Sequence, residues 1–200
     1  MQHLTVELHL NSRKDNGDSP KNLLKACIKG DRNAQRSLYE YLSPKMYPVC
    51  LRYMGDNEAA EDLLQEGFIT LFSKLDSYSG AGSFEGWARK IFVNSALMQL
   101  RKNDLLRGSD DLDDAWDIRS PEPTADQQMG AKELLGLVRE LPQGFRTVFN
   151  MYVIEGFSHK EIAEALNISE NTSRSQLQRA RIILQKKIIE KHSSDAGQNK

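Results

Sequence analysis

Apolar residues recur along this chain at intervals of three and four, and Pro, Gly, Ser and Asp punctuate the helices they predict. The clearest stripe is Leu64, Phe68, Leu71, Phe72 and Leu75, at offsets 0, 4, 7, 8 and 11. That spacing is one face of a helix with 3.6 residues per turn. Upstream, Ser19-Pro20 predicts a helix start and Gly30 its end, with Leu23, Leu24, Cys27 and Ile28 inward. Asp31 can cap a second helix carrying Ala34, Leu38, Tyr41 and Leu42. Ser43-Pro44 predicts the opening of a third, closed at Gly55, and Asp56 can cap the long striped helix. Ser79, Gly80 and Gly82 form a loop, after which Ser83 caps a helix reaching about Lys102. Sustained polar–apolar alternation between turn dipeptides is missing, so strands are not expected.

The period stops over residues 103–125, which hold Gly108, Pro121 and Pro123 among many acids. Such a segment has too little apolar surface to offset the entropy of ordering and reads as a mobile linker. Helical patterning resumes near 126, breaks at Leu141-Pro142, and continues through Phe145, Val148, Phe149 and Tyr152 to Gly156. The expected fold is all-α: two small helical domains joined by an acidic flexible linker, the C-terminal one a helix-turn-helix. The expected boundaries are a frayed N-terminus over 1–19, a first domain over 20–103, the linker over 104–126, a second domain over 127–192 and a frayed tail over 193–200. No internal repeat is visible.

The helix-turn-helix is the most specific local signal. Ser158-His159-Lys160-Glu161 has the form of a capping box, followed by Ile162, Ala163 and Leu166 as the inward face of a short helix. Asn167 can end that helix in a left-handed conformation, and a longer helix follows from about Glu170. In the longer helix Leu177, Ala180, Leu184 and Ile188 face inward, which sends Thr172, Arg174, Ser175, Gln178, Arg179 and Arg181 outward. Arg reads guanine edges and phosphates, Gln reads adenine, and Ser or Thr bonds backbone oxygens. These are the side chains a helix needs to read a major groove. The helix carries no acid between Glu170 and Glu190, whereas a merely solvated face usually mixes charges.

Composition changes this picture only when it is resolved along the chain. Twenty-seven Lys and Arg against 28 Asp and Glu give a net charge of −1, which taken alone argues against a polyanion partner. The charge is blocked, however. Residues 88–102 carry Arg89, Lys90, Arg101 and Lys102 with no acid, whereas residues 104–126 carry eight acids against Arg107 and Arg119. Apolar runs such as Met151-Tyr152-Val153-Ile154 fall far short of the ~20 residues a bilayer span needs. His3, Glu7 and His9 interrupt any signal-peptide pattern, and Cys27 and Cys50 make no C-x-x-C, so a cytoplasmic protein is expected. The four His are scattered and no phosphate loop, nucleophile elbow or metal-spaced cluster occurs. No catalytic residue, metal or cofactor is assigned, and an enzyme is not expected.

The order of motifs from about Leu23 to Lys187 resembles the extracytoplasmic-function (ECF) sigma factors of bacterial RNA polymerase. The resemblance is carried by Gly30-Asp31 with Ala34, Ala60-Glu61-Asp62-Leu63-Leu64-Gln65-Glu66 with Phe68, and Phe84 with Trp87. It continues through Arg89-Lys90-Ile91-Phe92-Val93-Asn94, Leu100-Arg101-Lys102, Leu141-Pro142, Gly156-Phe157-Ser158, Glu161-Ile162-Ala163 and Thr172 to Arg181. It implies that Asp62, Gln65 and Glu66 dock on the clamp helices of the polymerase's large subunit. Tyr78, Ser79 and Ser83 would lie in the loop holding a base flipped from the melted downstream promoter element. Phe84 and Trp87 are expected to be mostly core, with Trp87 also among the residues that bind the downstream element. Lys90 and Asn94 would touch the same element, and Arg101 and Lys102 phosphate. Arg174, Ser175, Gln178 and Arg179 would read the upstream element.

The linker would thread toward the active centre or serve as a tether. Partners implied are core RNA polymerase and promoter DNA, with an anti-sigma factor as a further one; the free protein is expected to be a monomer with no membrane insertion. Gly67, Ser173 and Gln178 depart from the residues usual in the family. The alternative is a stand-alone helix-turn-helix regulator, which would usually dimerise. No dimer helix follows Ile189, and that reading leaves the N-terminal domain without a role.

Overall fold

The computed structural model describes residues 20–102 and 130–198. Among these every regular element is helical. The expected N-terminal fraying and the acidic linker lie outside the described residues. The helices are α1 (Pro20–Ile28), α2 (Arg32–Met54), α3 (Asn57–Ser73), α4 (Phe84–Lys102), α5 (Ala131–Arg139), α6 (Gln143–Phe149), α7 (His159–Leu166) and α8 (Glu170–Gln198). A 3-10 turn (Leu75–Ser77) follows α3, and α6 runs on into a π turn (Asn150–Ile154). The described residues form two compact units: residues up to Leu51 with Asn57–Ala96, and Arg52–Asp56 with residues from Leu97 onward.

In the first unit the anticipated caps are in place. Asp31 accepts the Asn33 and Ala34 amides at 2.8 and 3.0 Å, and Gly30 takes the left-handed φ of +83° between α1 and α2. The expected break at Ser43-Pro44 is absent. Pro44 and Pro48 lie inside one 23-residue helix. Each proline deletes a backbone donor and costs about 3 kcal/mol in a helix interior. Continuity wins because Leu38, Leu42, Met46 and Val49 hold one buried face straight across both prolines.

The predicted stripe is inward: Leu64, Phe68 and Leu71 of α3 and Leu75 of the 3-10 turn are buried, and Phe72 is half-buried. Phe68 meets Phe92 of α4 edge-on at 5.3 Å and Tyr39 of α2 at 4.4 Å. Cys27 and Cys50 are both buried free thiols.

The second unit is built on α8, against which α5, α6 and α7 pack. Leu141, Phe145, Val148 and Met151 join Ile162, Leu166, Leu177, Ala180 and Leu184 in its core. The chain breaks at Leu141-Pro142 as the sequence predicts, with Pro142 leading into α6. Arg146 is buried there and bonds the Arg139 and Leu141 carbonyls at 2.8 and 3.2 Å, holding the α5–α6 corner. Lys187 pairs with Glu140 at 2.5 Å and Lys191 with Glu133, tying α8 to α5.

Gly67 now has a physical reason. A Cβ there would stand 2.3 Å from two ring carbons of Phe92. Gly67→Ala is therefore expected to lower stability by about 1–3 kcal/mol through overpacking, although alanine is the better helix former by about 1 kcal/mol. Chemical denaturation checks this, and a raised midpoint would refute the close-packing account.

Candidate nucleic-acid interface

The helix-turn-helix forms as the sequence dictates. Ser158 Oγ accepts the Glu161 amide at 3.3 Å, and the Glu161 carboxylate accepts the Ser158 amide at 2.8 Å, closing the capping box. Asn167 ends α7 at φ 56°, ψ 46°, a left-handed conformation that Asn tolerates better than most side chains. Ser169 then caps α8, its hydroxyl accepting the Thr172 amide at 2.9 Å. Arg174, Ser175, Gln178 and Arg181 are exposed and Thr172 and Arg179 are half-buried, so the six residues share the outward side of α8. Three of them are already engaged locally. Thr172 Oγ1 meets Ser169 Oγ at 2.8 Å, Ser175 donates to the Thr172 carbonyl at 3.0 Å, and Arg174 pairs with Glu170 at 2.6 Å.

A second surface is built where α4 begins. Ser83 caps the helix by accepting the Gly86 amide at 3.0 Å. Tyr78 donates to the Gly82 carbonyl at 2.8 Å, closing a loop in which Gly80 and Gly82 both take positive φ. Beneath the loop Tyr78, Phe84 and Trp87 form an aromatic cluster with centroids 5.1–5.6 Å apart. Phe84 is core as expected, while Trp87 and Tyr78 are half-exposed. Ser79 and Ser83 are exposed, as are Lys90 and Asn94 one turn apart along α4 and Arg101 and Lys102 at its end.

What seats the start of α4 escaped sequence reasoning: Glu85 accepts bonds from both Tyr41 and Lys45 of α2. The Lys45 ammonium also lies 3.7 Å over the Tyr41 ring. Partners forty residues apart leave no periodic signal.

On α3, Asp62, Gln65 and Glu66 are exposed on the side opposite the buried stripe. Ile69 completes the row at offset seven and is 71% exposed. Met98, 63% exposed on α4, extends the row of Lys90 and Asn94. Their displacement from the apolar stripes was the available signal. Among the described residues no His, Cys, Asp and Glu cluster could hold a metal, and no helix is long and apolar enough to cross a membrane.

Comparison with known proteins matches residues 38–105 to the family "Sigma-70 region 2" and 131–184 to "Sigma-70, region 4". ECF RNA polymerase sigma factor SigE of Mycolicibacterium smegmatis is 32% identical over 178 residues, 85% of this chain and 68% of that protein. The chain belongs to the ECF sigma factors.

SigW of Bacillus subtilis is 27% identical over 84% of this chain and 96% of its own length. The Haemophilus influenzae sigma-E factor is 27% identical over 83% and 93%. A solved structure of the Bartonella quintana sigma factor RpoE in complex with the anti-sigma factor NepR covers 76% of this chain and 94% of its own, at 21% identity and a TM-score of 0.45. As a member of this family the protein is an alternative sigma factor, a DNA-binding initiation factor.

The Glu85 seat in this sigma factor makes a pH-dependent contribution. Hydrogen bonds from Lys45 and Tyr41 hold the Glu85 carboxyl below its ordinary value of 4.5. A folded-state value below the unfolded one gives stability that is complete above the unfolded value and fades as pH falls through the folded one. Thermal melts should therefore show Glu85→Gln less stable than the parent near pH 7, with the gap narrowing as pH falls below 4.5. A gap that persists at low pH would mean the carboxylate charge is not what stabilises.

Proposed function

We propose that this sigma factor binds core RNA polymerase through the α3 row Asp62, Gln65 and Glu66, with Ile69 as its apolar member. It reads an upstream promoter element with α8, and captures and melts a downstream element at the start of α4. The observation that carries this reading is the outward side of α8, without an acid between Glu170 and Glu190, presented by a helix-turn-helix in a chain of this family. Thr172, Arg174, Ser175, Gln178, Arg179 and Arg181 are the readers. Arginine takes guanine or phosphate, Gln178 takes adenine, and the hydroxyls take backbone oxygens.

Tyr78, Ser79, Ser83 and Trp87 offer a half-exposed aromatic floor and a glycine-rich rim for an unstacked base. Lys90 and Asn94 contact the same strand, and Arg101 and Lys102 neutralise phosphate. The domain bounds read from the sequence are 20–103 and 127–192, and the acidic stretch 104–126 either approaches the polymerase's nucleic-acid channel or acts as a tether. Nucleotide addition belongs to the polymerase, so the subunit is not itself an enzyme and works in the cytoplasm, with an anti-sigma factor as its regulator. A stand-alone regulator is the weaker reading because it gives the α3 row and the α4 surface nothing to do.

Promoter-directed transcription with purified core polymerase tests the whole. Failure to initiate on any of a promoter library, with tight binding of a palindrome by the protein alone, would favour the stand-alone regulator. Arg174→Ala and Arg179→Ala should each cost about 1–3 kcal/mol of affinity for the preferred upstream element and relax its sequence preference. An equal loss on every sequence would demote them to phosphate contacts. Asp62→Ala with Glu66→Ala should weaken association with core polymerase about tenfold, chiefly by slowing the encounter, with the melting midpoint unchanged. A collapsed midpoint would make the pair structural.

A further inference from the structure

One polar cluster in the helix-turn-helix is not used by any contact described so far. Ser173 is fully buried in the first turn of α8, between two of the outward readers, Thr172 and Arg174. Its hydroxyl lies 2.9 Å from Nδ1 of His159, the first residue of α7. The His159 ring in turn stacks on Tyr152 of the π turn, with centroids 4.5 Å apart and planes at 23°. Three elements therefore meet on one imidazole: the π turn through its face, α7 through its backbone, and α8 through Ser173. A buried hydroxyl must be partnered, so the orientation of α8 in which Ser173 Oγ reaches Nδ1 is favoured over its neighbours.

We infer that His159 is a positioning residue for sequence readout: clamped on Tyr152 and bonded to Ser173, it fixes the roll of α8 about its own axis and thereby the aim of Thr172 and Arg174. This inference rests on the reading of α8 as the upstream-element helix. The lever is geometric. A roll of about 10° moves an atom roughly 6 Å from a helix axis by about 1 Å. Paired hydrogen bonds to a base edge do not survive that displacement, whereas a phosphate contact by a flexible arginine does. Loss of the clamp thus erodes discrimination between sequences more than it erodes affinity for DNA in general. Burial, reinforced by Arg174 and Arg181 and opposed by Glu170, holds the imidazole below its ordinary value. The clamp is accordingly neutral near pH 7.5.

The test uses the full chain assembled with core polymerase. The preferred upstream element is first recovered from a randomised duplex pool with the parent protein. Affinities for that duplex and for a scrambled one are then measured at pH 7.5. His159→Ala and Ser173→Ala should each lower the preferred-to-scrambled ratio roughly tenfold, with scrambled-duplex affinity nearly unchanged. The double variant should match His159→Ala, because Ser173 acts through His159 alone. His159→Asn, whose amide nitrogen falls near the Nδ1 position, should restore much of the ratio, and His159→Gln should not.

Equal weakening on both duplexes would make His159 a phosphate contact and overturn the inference. So would additive single variants, or an unchanged ratio in His159→Ala. Arg174→Ala serves as the control. If it too leaves the ratio unchanged, the reading of α8 as the promoter reader fails, and the role of His159 fails with it.

Discussion

Phe68 of α3 and Phe92 of α4 meet edge to face across the bare backbone of Gly67, and what the N-terminal unit presents depends on that contact. A helix has one orientation about its axis. Once Leu64, Phe68 and Leu71 are committed inward, Asp62, Gln65, Glu66 and Ile69 have nowhere to face but outward. The same commitment of Ala88, Ile91 and Phe92 on α4 puts Lys90 and Asn94 in solvent. The missing side chain at Gly67 lets a full aromatic ring sit against the neighbouring backbone. Gly67 is thus a local packing solution that leaves the exposed row intact.

Much of this was legible beforehand, for identifiable reasons. The Leu64–Leu75 stripe, the Asp31, Ser83 and Ser158 caps, and the left-handed Asn167 are local features, encoded within a turn or two of the residues they organise. The departures are long-range. The prolines of α2 announce a break, yet burial on both sides of them overrides the local cost. Glu85 finds Tyr41 and Lys45 only because α2 and α4 come together. Ser173 and Gln176 read as polar surface by type but lie at the inner positions of α8, where their neighbours supply partners. The six outward residues of α8 were readable because fixing its apolar stripe fixes everything else on the helix.

Electrostatics follow the same division. A net charge of −1 conceals surfaces of opposite sign. The exposed carboxylates of α3 suit a basic partner, and the basic side of α8 suits phosphate. Arg174 is already neutralised in the free protein by Glu170 and bonded to Asn171 at 3.3 Å. An anion taken up by Arg174 therefore competes with an intramolecular carboxylate.

The two buried thiols have a consequence of a different kind. Burial pushes Cys27 to about 11, with Asp31 adding to the effect, and Cys50 to about 12. Peroxides and disulfides react with the thiolate. At neutral pH only about one Cys27 sulfur in ten thousand, and fewer still at Cys50, is in that form. Peroxides and disulfides therefore have no fast reaction with either thiol, and neither cysteine is a ready redox switch.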